Sequence, residues 1–220
     1  MFNVKVLLRF FLILSIIYLT GILIPLPTIE IYLKPVLLLP LIAAAIIAPD
    51  FKNKIILIPA LAFSWSGDTI LLFVSKNGVF FIYGLVAFLI AHLFYIALLR
   101  KELKRGVSTI KWSIQPLIFI LIYLIILLII LIPHLGGLTI LVIIYAIVIS
   151  AMLYMARLLS LEWPGPSAFY LLTGAICFVV SDSLLALNKF YHPFPLSGFW
   201  IMVAYLYAQG ALVKSFLKAN

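Results

Sequence analysis

The sequence predicts an all-α integral membrane protein, a single transmembrane domain of residues 1–220 built as an eight-helix bundle. Three observations lead to this fold class: hydrophobic residues fill 67% of the 220 positions, only 10% are charged, and the mean hydropathy is +1.34. A soluble chain needs more polar surface, since soluble domains are about half apolar and a quarter charged. The bilayer is therefore the expected solvent.

The apolar runs have the length that a membrane helix requires, which is about 20 residues. On this criterion the predicted spans are residues 4–24, 33–48, 54–74, 78–99, 112–132, 138–160, 167–187 and 197–217. The second span is short and contains Pro40. Prolines, glycines and polar residues mark breaks at 25–27, 49–50, 77–78, 133–137, 164–166 and 193–195. Connections this short predict antiparallel neighbours.

The basic residues are distributed as the topology of a membrane protein requires. With eight spans, both termini and the connections 2–3, 4–5 and 6–7 share one side. That side holds twelve of the fifteen basic residues: Lys5, Arg9, Lys52, Lys54, Arg100, Lys101, Lys104, Arg105, Lys111, Arg157, Lys214 and Lys218. The other side keeps Lys34, Lys76 and Lys189. The positive-inside rule then places both termini in the cytoplasm, with the chain in the inner or plasma membrane.

The net charge of +9 and the single cysteine exclude other classes of protein. Short basic clusters between apolar runs are typical of contact with anionic lipid head groups, so no nucleic-acid partner is expected. One cysteine, Cys177, excludes a disulfide framework and makes a thiolate metal cluster unexpected. The first apolar run lacks a small-x-small cleavage site, so we expect a retained span rather than a signal peptide.

A weak internal similarity relates the two halves of the chain. Residues 63–72 resemble 178–185, and Ala91-His92 corresponds to Ala208-Gln209, at offsets of 114 and 117 residues. Four helices per half would make the repeats parallel, related by an axis along the membrane normal. Chance similarity among apolar segments is the alternative.

Two of the six acidic residues lie inside apolar spans. Glu30, Asp50, Glu102 and Glu162 fall in or beside predicted loops, where solvated charge explains them. Asp68 and Asp182 do not, because an ionised Asp at a helix centre costs about 2.5–3.5 kcal/mol on insertion scales and usually serves function. Both lie at similar depth in the predicted outer half, so we expect the carboxyls to meet across the bundle. Buried aspartates that only stabilise packing are the alternative.

Polar residues on the same helix faces are candidate substrate ligands: Lys34, Ser64, His92, Tyr95, Ser181, Lys189, Tyr205 and Gln209. Ser64 and Asp68 are i,i+4 neighbours, and Lys189 follows Asp182 by about two turns. Lys34-Pro35 is expected to open the second span, where proline suits a helix start. A snorkelling Lys34 and a structural His92 are the alternatives for those two residues.

No metal or cofactor is predicted from the residue types. His134 and His192 lie in loops beside prolines, without ligand spacing to His92. A three-histidine metal site is therefore not expected.

Taken in order, these segments resemble the YhhN family of membrane proteins, which includes animal lysoplasmalogenases. The matching pieces are Lys34-Pro35, Phe63-Ser64, Gly67-Asp68, Leu71-Leu72, Gly84-Leu85, Phe88, Ala91-His92, Tyr95, Gly174-Ala175, Phe178, Ser181-Asp182, Leu185-Ala186, Lys189-Phe190 and Tyr207-Ala208-Gln209. Each piece alone is weak, but the ordered set covers residues 34–209. A departure follows Gln209, where Gly210-Ala211-Leu212-Val213 replaces a more aliphatic ending.

The resemblance implies an eight-span hydrolase that cleaves the vinyl-ether bond of lysoplasmalogen, or acts on a related lysolipid. Its partners would be a lysophospholipid substrate and bilayer lipids. Such cleavage needs a general acid and a carboxylate that stabilises an oxocarbenium ion and activates water. Asp68 and Asp182 suit these roles, because glycosidases use paired carboxyls for the same problem and apolar surroundings favour a neutral carboxyl.

Two other function classes stay open at this point. Paired acids in parallel repeats also suit a proton-coupled transporter, and a purely structural membrane scaffold is the third possibility. The sequence leaves open the head group, the chain length, the acid and base assignment of the aspartates, and the oligomeric state.

Overall fold

The computed structural model describes residues 3–24, 28–48, 53–104 and 114–219. The predicted breaks at 25–27 and 49–50, which include Asp50, lie outside the described residues, as do the basic residues Lys52, Arg105 and Lys111.

The described ranges contain nine α-helices: α1 (Val4–Leu23), α2 (Ile29–Leu37), α3 (Leu39–Ile47), α4 (Lys54–Leu71), α5 (Val79–Leu103), α6 (Ile114–Leu135), α7 (Thr139–Glu162), α8 (Gly165–Ala186) and α9 (Ser197–Ala219). A 3₁₀ turn at Gly136–Leu138 joins α6 to α7, and a π-helical turn at Leu187–Tyr191 follows α8. No strand occurs within these ranges, so the all-α prediction is confirmed for this part of the chain.

Seven helical segments in the described ranges are long and apolar enough to cross a membrane. One is the 49-residue stretch Ile114–Glu162, which comprises α6, the 3₁₀ turn and α7, and another is α2 with α3. The prediction of several apolar membrane-length helices is therefore confirmed. The count of eight crossings and the division into two repeats stay predictions.

The second predicted span differs from the structure at its beginning. Helix α2 begins at Ile29 rather than 33, so the prediction that Lys34-Pro35 opens this span is wrong. Pro35 lies inside α2, and the helical segment is interrupted at Leu38 before α3 begins. The indole of Trp65 in α4 donates a hydrogen bond to the carbonyl of Pro35 at 2.5 Å. The Pro35 carbonyl belongs to the last turn of α2, where carbonyls have no helical partner, so the Trp65 side chain satisfies one of them.

The chain divides into two compact units, one of Met1–Leu98 with Phe216–Lys218 and one of Leu99–Ser215. In the first unit, α1 packs against α2 and α3, and both of these pack against α4. The ammonium group of Lys54 donates to the carbonyls of Ile46 and Ala48 at 3.1 Å each. Lys54 therefore satisfies terminal carbonyls of α3, where a positive charge is favourable.

Helices α4 and α5 of the first unit interlock through two glycines. A Cβ at Gly67 would lie 2.7 Å from the ring of Phe88, and a Cβ at Gly84 would lie 2.6 Å from Leu71. Each glycine therefore leaves the space that a large side chain of the other helix fills. Such close packing is typical of membrane helices, where small residues let neighbours approach.

In the second unit, α7 packs against both α6 and α8. The reversal between α6 and α7 uses Gly136 at φ +51°, a backbone conformation that favours glycine. The hydroxyl of Thr139 donates to the Gly136 carbonyl at 2.7 Å. Helix α9 approaches α8 closely, since a Cβ at Gly174 would lie 3.1 Å from the Leu212 nitrogen.

The outer surface of α6 is apolar. Several large aliphatic and aromatic side chains of this helix are about half exposed or more: Ile118, Phe119, Ile122, Ile125, Ile126 and Ile129. In water such a surface would drive aggregation or association, whereas lipid chains solvate it at no cost. The exposed face of α6 therefore agrees with a bilayer as solvent.

Candidate functional site

Asp68 lies on a buried face of α4 in the first unit. Its side chain is only 3% exposed, and Ser64 and Ala60, one and two turns earlier, are fully buried. The i,i+4 spacing predicted this shared face. Gly67 precedes the carboxyl and lets Phe88 of α5 pack against the helix. Asp68 is therefore a shielded carboxyl at a tightly packed helix contact.

Tyr18 of α1 adds a phenol to the surroundings of Asp68. Tyr18 is fully buried, and its hydroxyl is within electrostatic reach of the carboxyls of Glu30 and Asp68. Among the described residues, neither the Tyr18 hydroxyl nor the Ser64 hydroxyl has a hydrogen-bond partner. Buried polar groups are nearly always paired, so these two hydroxyls are suited to bind a ligand or water.

Neither the position nor the spacing of Tyr18 predicts a role in the site. A tyrosine near the end of a span ordinarily belongs to the interfacial belt of aromatic residues. Only the packing of α1 in the first unit places this phenol near an acidic side chain.

His92 and Tyr95, both predicted ligands, lie buried on α5. The Nδ1–H of His92 donates to the Phe88 carbonyl at 2.6 Å, which fixes this proton because a carbonyl oxygen only accepts. Phe94 of the same helix stacks on Phe63 of α4, with ring centroids 5.7 Å apart. The local bond of His92 supports the structural alternative, and binding by His92 or Tyr95 stays a prediction.

The predictions for Lys34 and for the other acidic residues agree with the structure only in part. Lys34 is half-buried within α2, and its choice between binding and snorkelling stays open. Glu30 and Glu162 are exposed, as expected of solvated charges. The expectation of a solvated Glu102 is wrong: the residue is only 7% exposed, and it lies within α5, which continues to Leu103 instead of ending at 99.

Asp182 of α8 is the centre of a polar cluster in the second unit. Its side chain is half-buried, and the hydroxyl of Tyr145 in α7 donates to its Oδ2 at 2.5 Å. The two residues are 37 positions apart in sequence, and their contact joins α7 to α8. Hydrogen bonds to a charged acceptor are about twice as strong as neutral ones, so Tyr145 is a substantial partner for an ionised Asp182.

A second hydroxyl pair lies beside this contact. The hydroxyls of Tyr123 in α6 and Ser183 in α8 are 2.5 Å apart, and the Ser183 hydroxyl also donates to the Val179 carbonyl at 2.7 Å. Asp182, Ser183 and both tyrosines line one small cavity of about 40 Å³, whose other walls are mainly aliphatic. No sequence pattern predicts that Tyr123, Tyr145 and Ser183 belong to the site.

Of the predicted ligands on α8 and α9, Ser181 and Tyr205 make contacts between the two helices. The hydroxyl of Ser181 donates to the Ile201 carbonyl at 3.0 Å. Tyr205 makes an edge contact with Phe178 at 5.7 Å between centroids, and Gln209 is fully buried. These contacts give Ser181 and Tyr205 a structural role, and substrate binding by all three residues stays a prediction.

Lys189 does not continue the α-helical stripe that starts at Asp182. Helix α8 ends at Ala186, and Lys189 lies exposed in the π-helical turn Leu187–Tyr191. Because a π turn has a wider repeat than an α-helix, spacing in sequence no longer predicts a shared face. The expectation of one α-helical face from Asp182 to Lys189 is therefore wrong, and substrate binding by Lys189 stays a prediction.

Asp68 and Asp182 belong to different compact units, and their meeting in one cavity stays a prediction. Within the described ranges, no three His, Cys, Asp or Glu side chains are grouped to hold a metal ion.

Comparisons with known proteins add the family context. A profile of the YhhN family matches residues 29–216. Lysoplasmalogenase of Mycobacterium bovis (strain ATCC BAA-935 / AF2122/97) is 32% identical over 152 residues, which are 68% of this chain and 56% of the relative. Lysoplasmalogenase TMEM86A of Homo sapiens is 30% identical over 165 residues, 73% of this chain and 64% of the relative.

Lysoplasmalogenase TMEM86B of Mus musculus is 29% identical over 175 residues, 78% of this chain and 68% of the relative. The match thus spans little more than half the length of the mycobacterial relative. No solved structure matches the chain. Since the family profile covers most of the sequence, including Asp68 and Asp182, this protein belongs to the YhhN family.

Proposed function

We propose that this protein hydrolyses the vinyl-ether bond of a lysoplasmalogen, or a closely related lysolipid, with Asp68 and Asp182 as catalytic carboxyls. The observation that carries the proposal is the setting of the two residues. Each lies in an apolar helix, Asp68 in electrostatic reach of the phenol of Tyr18 and Asp182 bonded to Tyr145. The relatives compared above bear the name lysoplasmalogenase, which supports the choice of substrate.

The reaction requires one proton donor and one proton acceptor. A carboxylic acid protonates the vinyl carbon remote from the ether oxygen, and the adjacent carbon becomes an oxocarbenium centre. Water adds there while a carboxylate takes the released proton. The resulting hemiacetal passes its hydroxyl proton to the glycerol oxygen, which leaves as an alcohol. One water is consumed, a fatty aldehyde and a glycerophospho-base form, and proton return resets both carboxyls.

Several polar side chains are suited to hold the substrate in this proposal. The buried hydroxyls of Tyr18 and Ser64 can bind its polar part, since they have no hydrogen-bond partner among the described residues. Lys34, half-buried in α2, can pair with the phosphate. His92, Tyr95, Ser181, Lys189, Tyr205 and Gln209 complete the proposed set of substrate-binding residues.

We further propose eight membrane crossings with both termini in the cytoplasm. In support, α6 and α7 are 22 and 24 residues long, pack against each other, and are separated by a three-residue 3₁₀ turn. Helices of this length each suffice to cross the hydrocarbon core. With eight crossings, the basic residues segregate twelve to three.

Transport is not part of this proposal. Paired acids alone suggested it, whereas the relatives compared above are named for a hydrolase. A structural scaffold is also a weaker explanation of the two aspartates, because buried acids are costly to place in a membrane.

The test uses purified protein in nanodiscs with 1-alkenyl lysophosphatidylethanolamine. We expect release of free fatty aldehyde and glycerophosphoethanolamine, and no aldehyde from the matched 1-acyl lysolipid. In water labelled with ¹⁸O, the glycerophosphoethanolamine should stay unlabelled, because the proposed route breaks the bond between the glycerol oxygen and the hemiacetal carbon. If folded wild-type protein released no aldehyde, or if the label entered the glycerol hydroxyl, the proposal would be contradicted.

A further inference from the structure

Three helices of the second unit contribute hydroxyl-bearing side chains to the cavity that Asp182 lines. Tyr123 comes from α6, Tyr145 from α7, and Ser183 from α8. Tyr145 donates directly to Asp182 Oδ2, while Tyr123 and Ser183 bond to each other. All four residues line the same cavity. This arrangement is more elaborate than a single structural hydrogen bond between two helices requires.

The cavity is large enough for water, and its mainly apolar lining includes a few polar groups. Its volume is about 40 Å³, whereas one water needs about 10–15 Å³ of such space and two to four polar partners. The lining offers hydroxyls and a carboxyl for those bonds, and aliphatic walls such as Leu131 and Val142 surround them. A lipid chain does not fit into this volume, but one or two water molecules do.

The Tyr145 contact also favours one of the two catalytic roles for Asp182. An ionised carboxylate accepts hydrogen bonds and donates none, and the phenol of Tyr145 supplies a donor to one of its oxygens. Asp68, by contrast, is only 3% exposed, and burial of an ionised group is far more costly than burial of a neutral one. Asp182 therefore suits the carboxylate role, and Asp68 suits the neutral acid.

We propose that Tyr145 is a positioning residue that holds Asp182 as the carboxylate base, with the attacking water bound in the cavity beside them. In the hydrolytic step, the water oxygen bonds to the oxocarbenium carbon and its proton passes to Asp182. Tyr145 keeps its own proton throughout and orients the carboxylate. This inference rests on the proposed lysoplasmalogenase activity and assigns the acid and base roles that the sequence left open.

The test is a double-mutant cycle on turnover, with Tyr145→Phe, Asp182→Asn and the combined variant. Tyr145→Phe should lower kcat by about 10- to 100-fold, as expected for loss of one hydrogen bond to a charged group, and change KM by less than about threefold. In the Asp182→Asn background the same change should lower kcat by less than about twofold, because Tyr145 acts through Asp182.

A matched control separates this effect from the general loss of a tyrosine hydroxyl. Tyr207 of α9 bonds to Thr173 of α8 at 2.9 Å, so Tyr207→Phe also deletes one interhelical hydrogen bond in this unit. Its kcat should equal that of the wild type. If Tyr145 were purely structural, Tyr145→Phe would lower kcat by the same factor in the wild type and in the Asp182→Asn variant, and that result would overturn the proposal. A wild-type kcat in Tyr145→Phe would also overturn it.

Infrared spectroscopy tests the same proposal without the Tyr145 variant. The difference spectrum of wild type minus Asp182→Asn at neutral pH should show loss of a carboxylate band. Loss of a protonated-carboxyl band instead would overturn the assignment of Asp182 as base. Aldehyde release tests the proposed function, and the spectrum tests the ionisation of Asp182. A wild type that releases no aldehyde from any lysolipid would therefore contradict the function alone.

Discussion

The phenol of Tyr145 donates a hydrogen bond to Oδ2 of Asp182 at 2.5 Å and so joins α7 to α8. The contact links a half-buried acid to a buried hydroxyl at the edge of a cavity large enough for water. Asp68 has a different setting, in a tightly packed and nearly inaccessible face of α4. Two acids in unlike surroundings are what a reaction with separate acid and base roles needs.

The first prediction concerns the two aspartates themselves. Asp68→Asn and Asp182→Asn keep shape and most hydrogen bonding but remove the transferable proton and the charge. Each should lower kcat by about 10²- to 10⁴-fold, the usual scale of general acid–base catalysis. The double variant should be little worse than the worse single one, because both groups act on one reaction. Aldehyde release by well-folded protein measures this.

The exposed acid Glu162 provides the control, since Glu162→Gln removes a carboxylate from the end of α7. Its turnover should match the wild type. Near-wild-type kcat in either aspartate variant would remove that residue from the mechanism and restore its structural interpretation.

The hydropathy and the proline, glycine and polar residues between the apolar runs predict the first residue of most helices to within one position. The predicted starts of α1, α4 and α9 coincide with the structure, and those of α5 and α7 differ by one residue. Such agreement is expected, because a helix in lipid must be apolar along its whole length. The beginning of α2 was misjudged because proline is common at the first turn of a helix but is tolerated inside membrane helices when other groups support the backbone.

The candidate site could be predicted only in part. Asp68 and Asp182 stood out because a charge in an apolar span is rare and costly. Tyr145 did not, because it is one of eleven tyrosines and nothing in its spacing relates α7 to α8. Its importance depends on a tertiary contact. For Lys189 the spacing is misleading, because it assumes an α-helical repeat in a segment that forms a π turn.

A second prediction tests the contact between α4 and α5. A Cβ at Gly67 would lie 2.7 Å from the buried ring of Phe88, so Gly67→Ala forces a shift in a packed interface. Overpacking of this kind costs about 1–3 kcal/mol, and Tm in detergent should fall by several degrees. Gly78→Ala is the control, because no atom lies within 4 Å of its added Cβ. Equal Tm values for both variants would refute the packing argument.

A third prediction concerns topology. With eight crossings, alkaline phosphatase fused after Gly137 should be active outside the cytoplasm, and a green fluorescent protein fused after Asn220 should fluoresce inside it. The physical reason is the twelve-to-three segregation of basic residues. If residues 114–162 instead formed a single crossing, the C-terminus would lie outside and the fluorescent fusion would stay dark.

The final prediction separates stability from binding at Ser64. Its hydroxyl is buried and has no hydrogen-bond partner among the described residues, a condition that costs about 1–3 kcal/mol. Ser64→Ala removes this unpaired oxygen and leaves almost the same volume. The free energy of unfolding should therefore stay equal or rise by about 1 kcal/mol. If Ser64 binds the substrate, KM should rise about five- to tenfold, because one neutral hydrogen bond is lost, while kcat changes little.

Ser15→Ala makes the same chemical change at another buried serine of the first unit. The Ser15 hydroxyl donates to the Phe11 carbonyl at 2.7 Å within α1, so this variant should lose up to about 1 kcal/mol of stability and keep the wild-type KM. Thermal melting and steady-state kinetics on both variants test the contrast. A loss of stability in Ser64→Ala would mean that its hydroxyl is already paired in the folded protein. An unchanged KM would remove Ser64 from the substrate-binding residues, because a hydroxyl that gains its partner only from the substrate must weaken binding when it is deleted.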